Sequence, residues 1–126
     1  MTEHVKSVQA DASLDTLVRL LVDGRFGSLP VVNDLDEVLG LVSESDLLEA
    51  LLKEPDVRTT ARDIMSQPPI VVDEFATSDE VMAVLRGSQI HHLPVVREGR
   101  LVGIITPHDV LRFFVDHVLP PFPDAG

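Results

Sequence analysis

The sequence predicts an α+β protein built from two tandem β-α-β-β-α repeats, and three observations carry that expectation. The chain repeats itself: Leu29-Pro30-Val31-Val32 returns as Leu93-Pro94-Val95-Val96, 64 positions on. At the same spacing Val8 matches Val72, Ala12 matches Ala76, Asp15 matches Asp79 and Leu21 matches Leu85. After the next turn the spacing falls to 63, under which Gly40 matches Gly103, Asp46 matches Asp109 and Leu48 matches Leu111. Matches that keep one order and need a single gap, placed at a turn, mark a duplication. Within each copy, short β-branched runs alternate with apolar residues at helical spacing, the pattern of strands interleaved with amphipathic helices.

Each copy opens on a short strand, Lys6 to Val8 and Ile70 to Val72, rich in β-branched residues. A helix follows. In the second copy Thr77 and Glu80 form a capping-box pattern ahead of Val81, Met82, Val84 and Leu85. In the first, Ser13 is the expected N-cap, Asp15 suits the positive first turn, and Leu14, Leu17, Val18 and Leu21 form the apolar face. Gly24 and Gly87 are expected to stop these helices.

Two strands joined by a tight turn come next. Leu29 to Val32 and Val38 to Val42 flank Asn33 to Glu37; Leu93 to Val96 and Leu101 to Ile105 flank Arg97 to Arg100, where Gly99 supplies a positive φ. The closing helices carry Leu47, Leu48, Leu51 and Leu52 up to Pro55, and Val110, Leu111, Phe114, Val115 and Val118 up to Pro120-Pro121. One such unit has too few buried positions to stand alone, so the two are expected to pack sheet to sheet. The resulting division is a first repeat over 1–55, a linker and lead-in over 56–68 with a short helix from Ala61 to Met65, a second repeat over 69–119, and a disordered tail over 120–126.

Composition narrows the function. With 44% hydrophobic and 25% charged residues the chain has an ordinary globular balance, and no apolar run reaches the ~18 residues of a membrane span. There is no cysteine, which excludes disulfides and thiolate zinc sites; the expected compartment is the cytoplasm. A net charge of −11 repels polyphosphate, and the chain has neither Trp nor Tyr to stack on bases, so nucleic acid is an unsuitable partner. No Gly-x-Ser-x-Gly, P-loop or His-Glu-x-x-His pattern occurs, and two small repeats leave little room for a substrate domain, so the chain is not expected to be an enzyme.

The segments Gly40-Leu41-Val42-Ser43-Glu44-Ser45-Asp46 and Gly103-Ile104-Ile105-Thr106-Pro107-His108-Asp109, each after a Leu-Pro-Val-Val strand, resemble the cystathionine-β-synthase (CBS) domain. Arg62-Asp63-Ile64-Met65-Ser66-Gln67-Pro68 is similar to the lead-in which that family places before a repeat. The resemblance covers Val5 to Val118. The first copy has no matching lead-in, which leaves open a shortened N-terminus or a chain that is one piece of a larger protein. The resemblance implies a pseudo-twofold pair of repeats, commonly dimerised into a disc. It also implies an adenosine-containing ligand (AMP, ADP, ATP or S-adenosylmethionine) in a cleft between the repeats, with occupancy reported to an attached or associated protein.

The residues themselves allow two readings of Ser43-x-x-Asp46 and Thr106-x-x-Asp109. A carboxylate at a strand-to-helix turn can accept hydrogen bonds from both hydroxyls of a ribose, and the N–H groups of the helix start favour a polar acceptor. The same spacing is a capping box, and Pro107 suits the first helical position. The resemblance adds two crosswise site sets. One joins Ser7, Phe26, Gly27 and Ser28 to Thr106 and Asp109. The other joins Val71, Ile90, His91 and His92 to Ser43 and Asp46, with Val71 departing from the hydroxyl residue expected there.

His91 and His92 stand where some relatives place a basic pair on phosphate, against the plainer reading of surface or packing histidines. Metal is not expected at the pair. Glu44 adds negative charge to that cleft and disfavours a triphosphate. Phe113 and Phe114 read as helix core or dimer interface. Glu49, Lys53, Glu54, Asp56 and Arg58 read as a solvated face and linker. The competing function is a ligand-free oligomerisation or docking scaffold on the same fold.

Overall fold

In a computed structural model, residues 6–53, 56 and 58–121 are described. The first repeat comprises β1 (Val8–Gln9), α1 (Leu14–Gly24), β2 (Ser28–Val32), β3 (Val38–Ser43) and α2 (Glu44–Leu52). A short α3 (Ala61–Ile64) leads to β4 (Val72–Asp73), α4 (Ser78–Gly87), β5 (Leu93–Arg97), β6 (Arg100–Ile105) and α5 (Pro107–His117). Each repeat makes its own three-stranded sheet, ordered β1-β2-β3 and β4-β5-β6. The first strand runs parallel to the second, which the intervening helix permits, and the hairpin strands are antiparallel. The predicted α+β class and both β-α-β-β-α units are present. The opening strands are shorter than expected and begin two residues later, at Val8 and Val72. The tail beyond Pro121, and Pro55, lie outside the described residues.

Local chemistry explains the elements. Ser13 caps α1 by accepting from Thr16 N–H at 3.2 Å, and Thr77 caps α4 by accepting from Glu80 N–H at 3.1 Å. Gly24 and Gly87 are the last helical residues, as expected, but the left-handed residue after α1 is Arg25, with φ 56°. Gly24 serves another purpose: a Cβ there would overlap the ring of Phe26, which folds back over the helix end. In the second hairpin Glu98 and Gly99 have φ of 50° and 82°, the paired positive values of a type I′ turn. The first hairpin is longer, and the Asn33 side chain organises it by accepting from Leu35 and Glu37 N–H. Both hairpins shift register at equivalent points, between Val31 and Val32 and between Val95 and Val96.

The two cores are unequal. The first includes Leu14, Leu17, Leu21, Leu29, Val31, Val42 and Leu47; the second holds Val72, Leu93 and Val95, with partly buried residues around them. Neither α4 nor α5 has a fully buried residue. Much of the difference comes from α3. Ala61, which has no exposed surface, and Met65 belong to the first core. The surrounding backbone is tied to the first repeat: Leu14 N–H donates to Thr59 C=O, Ala61 N–H to Ala12 C=O, Arg62 N–H to Ala10 C=O and Ser66 N–H to Leu41 C=O. The segment read as a lead-in to the second repeat thus packs on the first. The repeats also meet at their hairpins, where Leu101 N–H donates to the carbonyl of Asp36 at 2.9 Å and Glu37 bridges to Arg100. Asp36 reaches that geometry with φ 61°.

Candidate functional site

Each hairpin ends in a turn that delivers a hydroxyl and a carboxylate to the first turn of a helix. At α2, Asp46 Oδ2 accepts from Ser43 N–H at 2.8 Å and from Ser43 Oγ at 2.9 Å, while Ser43 Oγ accepts from Asp46 N–H at 3.2 Å. At α5 the same three bonds join Thr106 and Asp109 at 2.8, 3.0 and 3.3 Å. Both turns are complete capping boxes, and Pro107 occupies the start of α5. At each turn the capping bonds fall on a single carboxylate oxygen, Oδ2. Burial pushes the Asp109 carboxyl up, but hydrogen bonds, those from the N–H and hydroxyl of Thr106 foremost, and nearby positive charge together hold the group below the usual carboxylate value. It is therefore an acceptor at neutral pH.

The segments before β2 and β5 meet each other. Gly27 faces the His92 ring so closely that a Cβ at Gly27 would lie 2.5 Å from His92 Nε2. His92 is half-buried and His91 exposed. Burial and the neighbouring His91 lower the His92 pKa, partly opposed by the carboxylate of Glu44 across the repeat boundary. His92 of the second repeat thus shares surroundings with the first turn of α2, which carries Ser43 and Asp46.

Ser28 opens β2. The β2–β3 register sets it opposite Ser43 of its own repeat, and its hydroxyl is buried without a hydrogen-bond partner among the described residues. Phe26 packs beside the groove between α1 and α2, next to Glu44 and Ser45. Ser7, half-buried, precedes β1, and Val71 is exposed before β4.

Ile90 lines a cavity of about 160 Å³ between the repeats, together with Val38, Gly40, Leu41, Pro94 and residues 66–70. Sequence reasoning named Ile90 but missed the rest of this wall. The available signal was Gly40: a Cβ there would stand 2.7 Å from the Ser66 carbonyl oxygen and 2.8 Å from Met65 Sδ, so the connecting segment can cross β3 only over a glycine. Among the described residues no group of three or more His, Asp or Glu could hold a metal, and no helix is long and apolar enough to cross a membrane.

Two duplicated sheet-and-helix units facing each other, each presenting a hydroxyl–carboxylate turn, define a paired-repeat module. The chain belongs to the CBS domain family, whose profile matches residues 1–53 and 61–116. Proteins built on CBS-domain pairs are generally regulatory and non-catalytic. An uncharacterised protein of Methanocaldococcus jannaschii is 31% identical over 89% of this chain, which spans 40% of that relative's length. Hypoxic response protein 1 of Mycobacterium tuberculosis is 28% identical over 99% of this chain and 89% of its own. The crystal structure of Hypoxic Response Protein I with two coordinated zinc ions superposes with a TM-score of 0.78 at 29% identity, covering 89% of this chain and 93% of that one. The structure of CBSX2 in complex with AMP gives 0.77 at 28% identity, covering 92% and 93%.

Proposed function

We propose that the chain is a regulatory module that binds an adenosine-containing ligand, AMP, ADP, ATP or S-adenosylmethionine, between its repeats and passes occupancy to a partner protein or attached domain. The observation that carries this reading is the pair of hydroxyl–carboxylate turns. Each holds an ionisable acceptor at a helix start, and at the first turn of α2 Glu44 interacts with His92 of the other repeat. A ribose diol offers two donors to such an acceptor, and the apolar inter-repeat cavity lined by Ile90, Val38 and Leu41 suits the flat face of a base. The AMP bound by CBSX2 supports the same ligand class. Ser7, Phe26, Gly27 and Ser28 with Thr106 and Asp109, and Val71, Ile90, His91 and His92 with Ser43 and Asp46, are the residues proposed to line the two clefts. The module acts as a homodimer through the exposed stripe of Leu111 and Val115 of α5 with Val118 at its C-cap, and its counterpart Leu48 and Leu52 of α2. Ligand bridging the repeats changes their relative population of arrangements, and the partner responds only so far as it binds those arrangements differently.

A ligand-free scaffold is the second reading, favoured by the completeness of both capping boxes and by the acidic Glu44 beside the first turn. Calorimetric titration with AMP, ATP and S-adenosylmethionine, repeated on Asp46→Ala and Asp109→Ala, separates the two. Saturable heat lost in one folded variant supports the sensor. No heat with any ligand, and two variants merely less stable by about 1 kcal/mol, assigns the aspartates to capping and the protein to the scaffold class.

A further inference from the structure

The two hydroxyl–carboxylate turns share one plan but differ in charge. At the 63-residue spacing, Glu44-Ser45-Asp46 of α2 matches Pro107-His108-Asp109 of α5. The first turn of α2 therefore carries two carboxylates, whereas that of α5 carries one carboxylate and a histidine.

The α2 turn also adjoins the cavity between the repeats. Successive pairs Ser28–Ser43, Leu29–Val42 and Pro30–Leu41 put Ser43 and Leu41 on one face of β3, about 6.6 Å apart along the strand. Leu41 lines the cavity, and none of the described residues in its wall carries a charge. The buried Ser28 hydroxyl, without a partner among the described residues, lies on that face too, directly across from Ser43. A nucleoside with its base in the cavity can thus bring its ribose diol to the Asp46 carboxylate, whose capping bonds fall on Oδ2.

With the diol fixed there, the 5′ substituent stays within about 8 Å of Asp46, one Debye length, whichever way it turns. Glu44, two residues away on the same helical turn, adds a second negative charge, and its field reaches His92 across the repeat boundary. The helix start does little to offset them. Asp46 N–H is already bonded to Ser43 Oγ, and the two acidic side chains complement the positive end of α2. The basic side chains assigned to this cleft are His91, which is exposed, and His92, whose burial and neighbouring His91 favour the neutral ring.

We propose that the cleft at the Ser43–Asp46 turn selects its ligand by charge. It takes an adenosine whose 5′ group is neutral or cationic, as in adenosine itself or the sulfonium of S-adenosylmethionine, and disfavours 5′-phosphates through Glu44. Such selection presupposes the adenosine-binding reading and narrows it for this cleft. Glu44 is then the specificity-determining residue, and the α5 turn, with Pro107 in its place, lacks the same barrier.

The test is calorimetric titration of the full chain with adenosine, S-adenosylmethionine, AMP and ATP at about pH 7.5, above the ordinary histidine value. Adenosine and S-adenosylmethionine should bind at least about tenfold more tightly than ATP, with AMP between them. Asp46→Ala, with its circular dichroism spectrum unchanged, should abolish this binding and so assign it to the α2 turn. Glu44→Gln leaves the Ser43–Asp46 capping box in place, so it reads charge with the fold kept. It should hold adenosine affinity within about twofold while shrinking the preference over ATP at least threefold. AMP or ATP binding as tightly as adenosine, or a preference unchanged in Glu44→Gln, overturns the charge filter and leaves the sensor reading standing. Binding that survives Asp46→Ala overturns it too, by placing the ligand in the other cleft. If none of the four ligands binds, the sensor reading itself falls, and charge selection with it.

Discussion

Two glycine-to-alanine substitutions should move stability in opposite directions, and each sign follows from what an added methyl would meet. At Gly40, in the middle of β3, the new Cβ would stand 2.7 Å from the Ser66 carbonyl oxygen, 2.8 Å from Met65 Sδ and 2.9 Å from Met65 Cγ. Ordinary carbon contacts lie near 3.5–4.0 Å. The thioether could swing aside, but Met65 is buried in the first core. The Ser66 backbone cannot easily retreat either, because its N–H is bonded to Leu41 C=O at 2.9 Å. Relief therefore requires displacing the segment that carries α3, an overpacking cost of about 1–3 kcal/mol.

At Gly87, the last residue of α4, nothing lies within 4 Å of the added methyl and φ is not left-handed. There alanine only restricts the unfolded chain and improves helix propensity, a gain of about 0.4–1 kcal/mol. Urea denaturation followed by circular dichroism at pH 7 reads both, as changes in midpoint at constant slope. A neutral or stabilising Gly40→Ala would refute the close crossing of β3 by the connecting segment. A Gly87→Ala that destabilises by more than about 0.5 kcal/mol would refute the open surroundings assigned to the end of α4.

His92 makes folding sensitive to acid. Its pKa is lowered by burial and by His91, so the unfolded chain binds its proton more readily than the folded one. Its contribution is therefore constant at high pH and is lost as pH falls through the unfolded value near 6.5 toward the lower folded value. Stability measured between pH 7.5 and 5 should fall less steeply in His92→Gln than in the parent, and identical slopes would remove His92 as the cause. The exposed stripe on α5 gives a separate expectation: Leu111→Glu should shift sedimentation equilibrium toward monomer while leaving the circular dichroism spectrum unchanged, because Leu111 is 65% exposed within one chain. An unchanged association constant would place any dimer contact elsewhere.

Much of this protein is legible along the chain because the determinants are local. Ser13 and Thr77 cap their helices through neighbours three residues away, and Gly99 turns its hairpin by its own φ. The duplication needs only counting. The hydroxyl–carboxylate turns were legible for the same reason, since a Ser/Thr-x-x-Asp spacing closes on itself. Gly24 ends α1 as expected, but the need for a glycine there also comes from Phe26 folding back over the helix end, a contact that propensity does not encode, and the left-handed residue is Arg25.

Tertiary packing alone decided the rest. The Ala61–Ile64 helix sits next to the second repeat in sequence but is buried in the first, because Ala10, Ala12 and Leu41 offer backbone partners there. Register placed Ser28 opposite Ser43, and the approach of the two repeats brought His92 onto Gly27. The sequence by itself therefore determined the repeat, its elements and the two acidic turns. Which segments share a core was decided by contacts between residues far apart in the chain, where steric fit and backbone hydrogen bonding outweigh local preference.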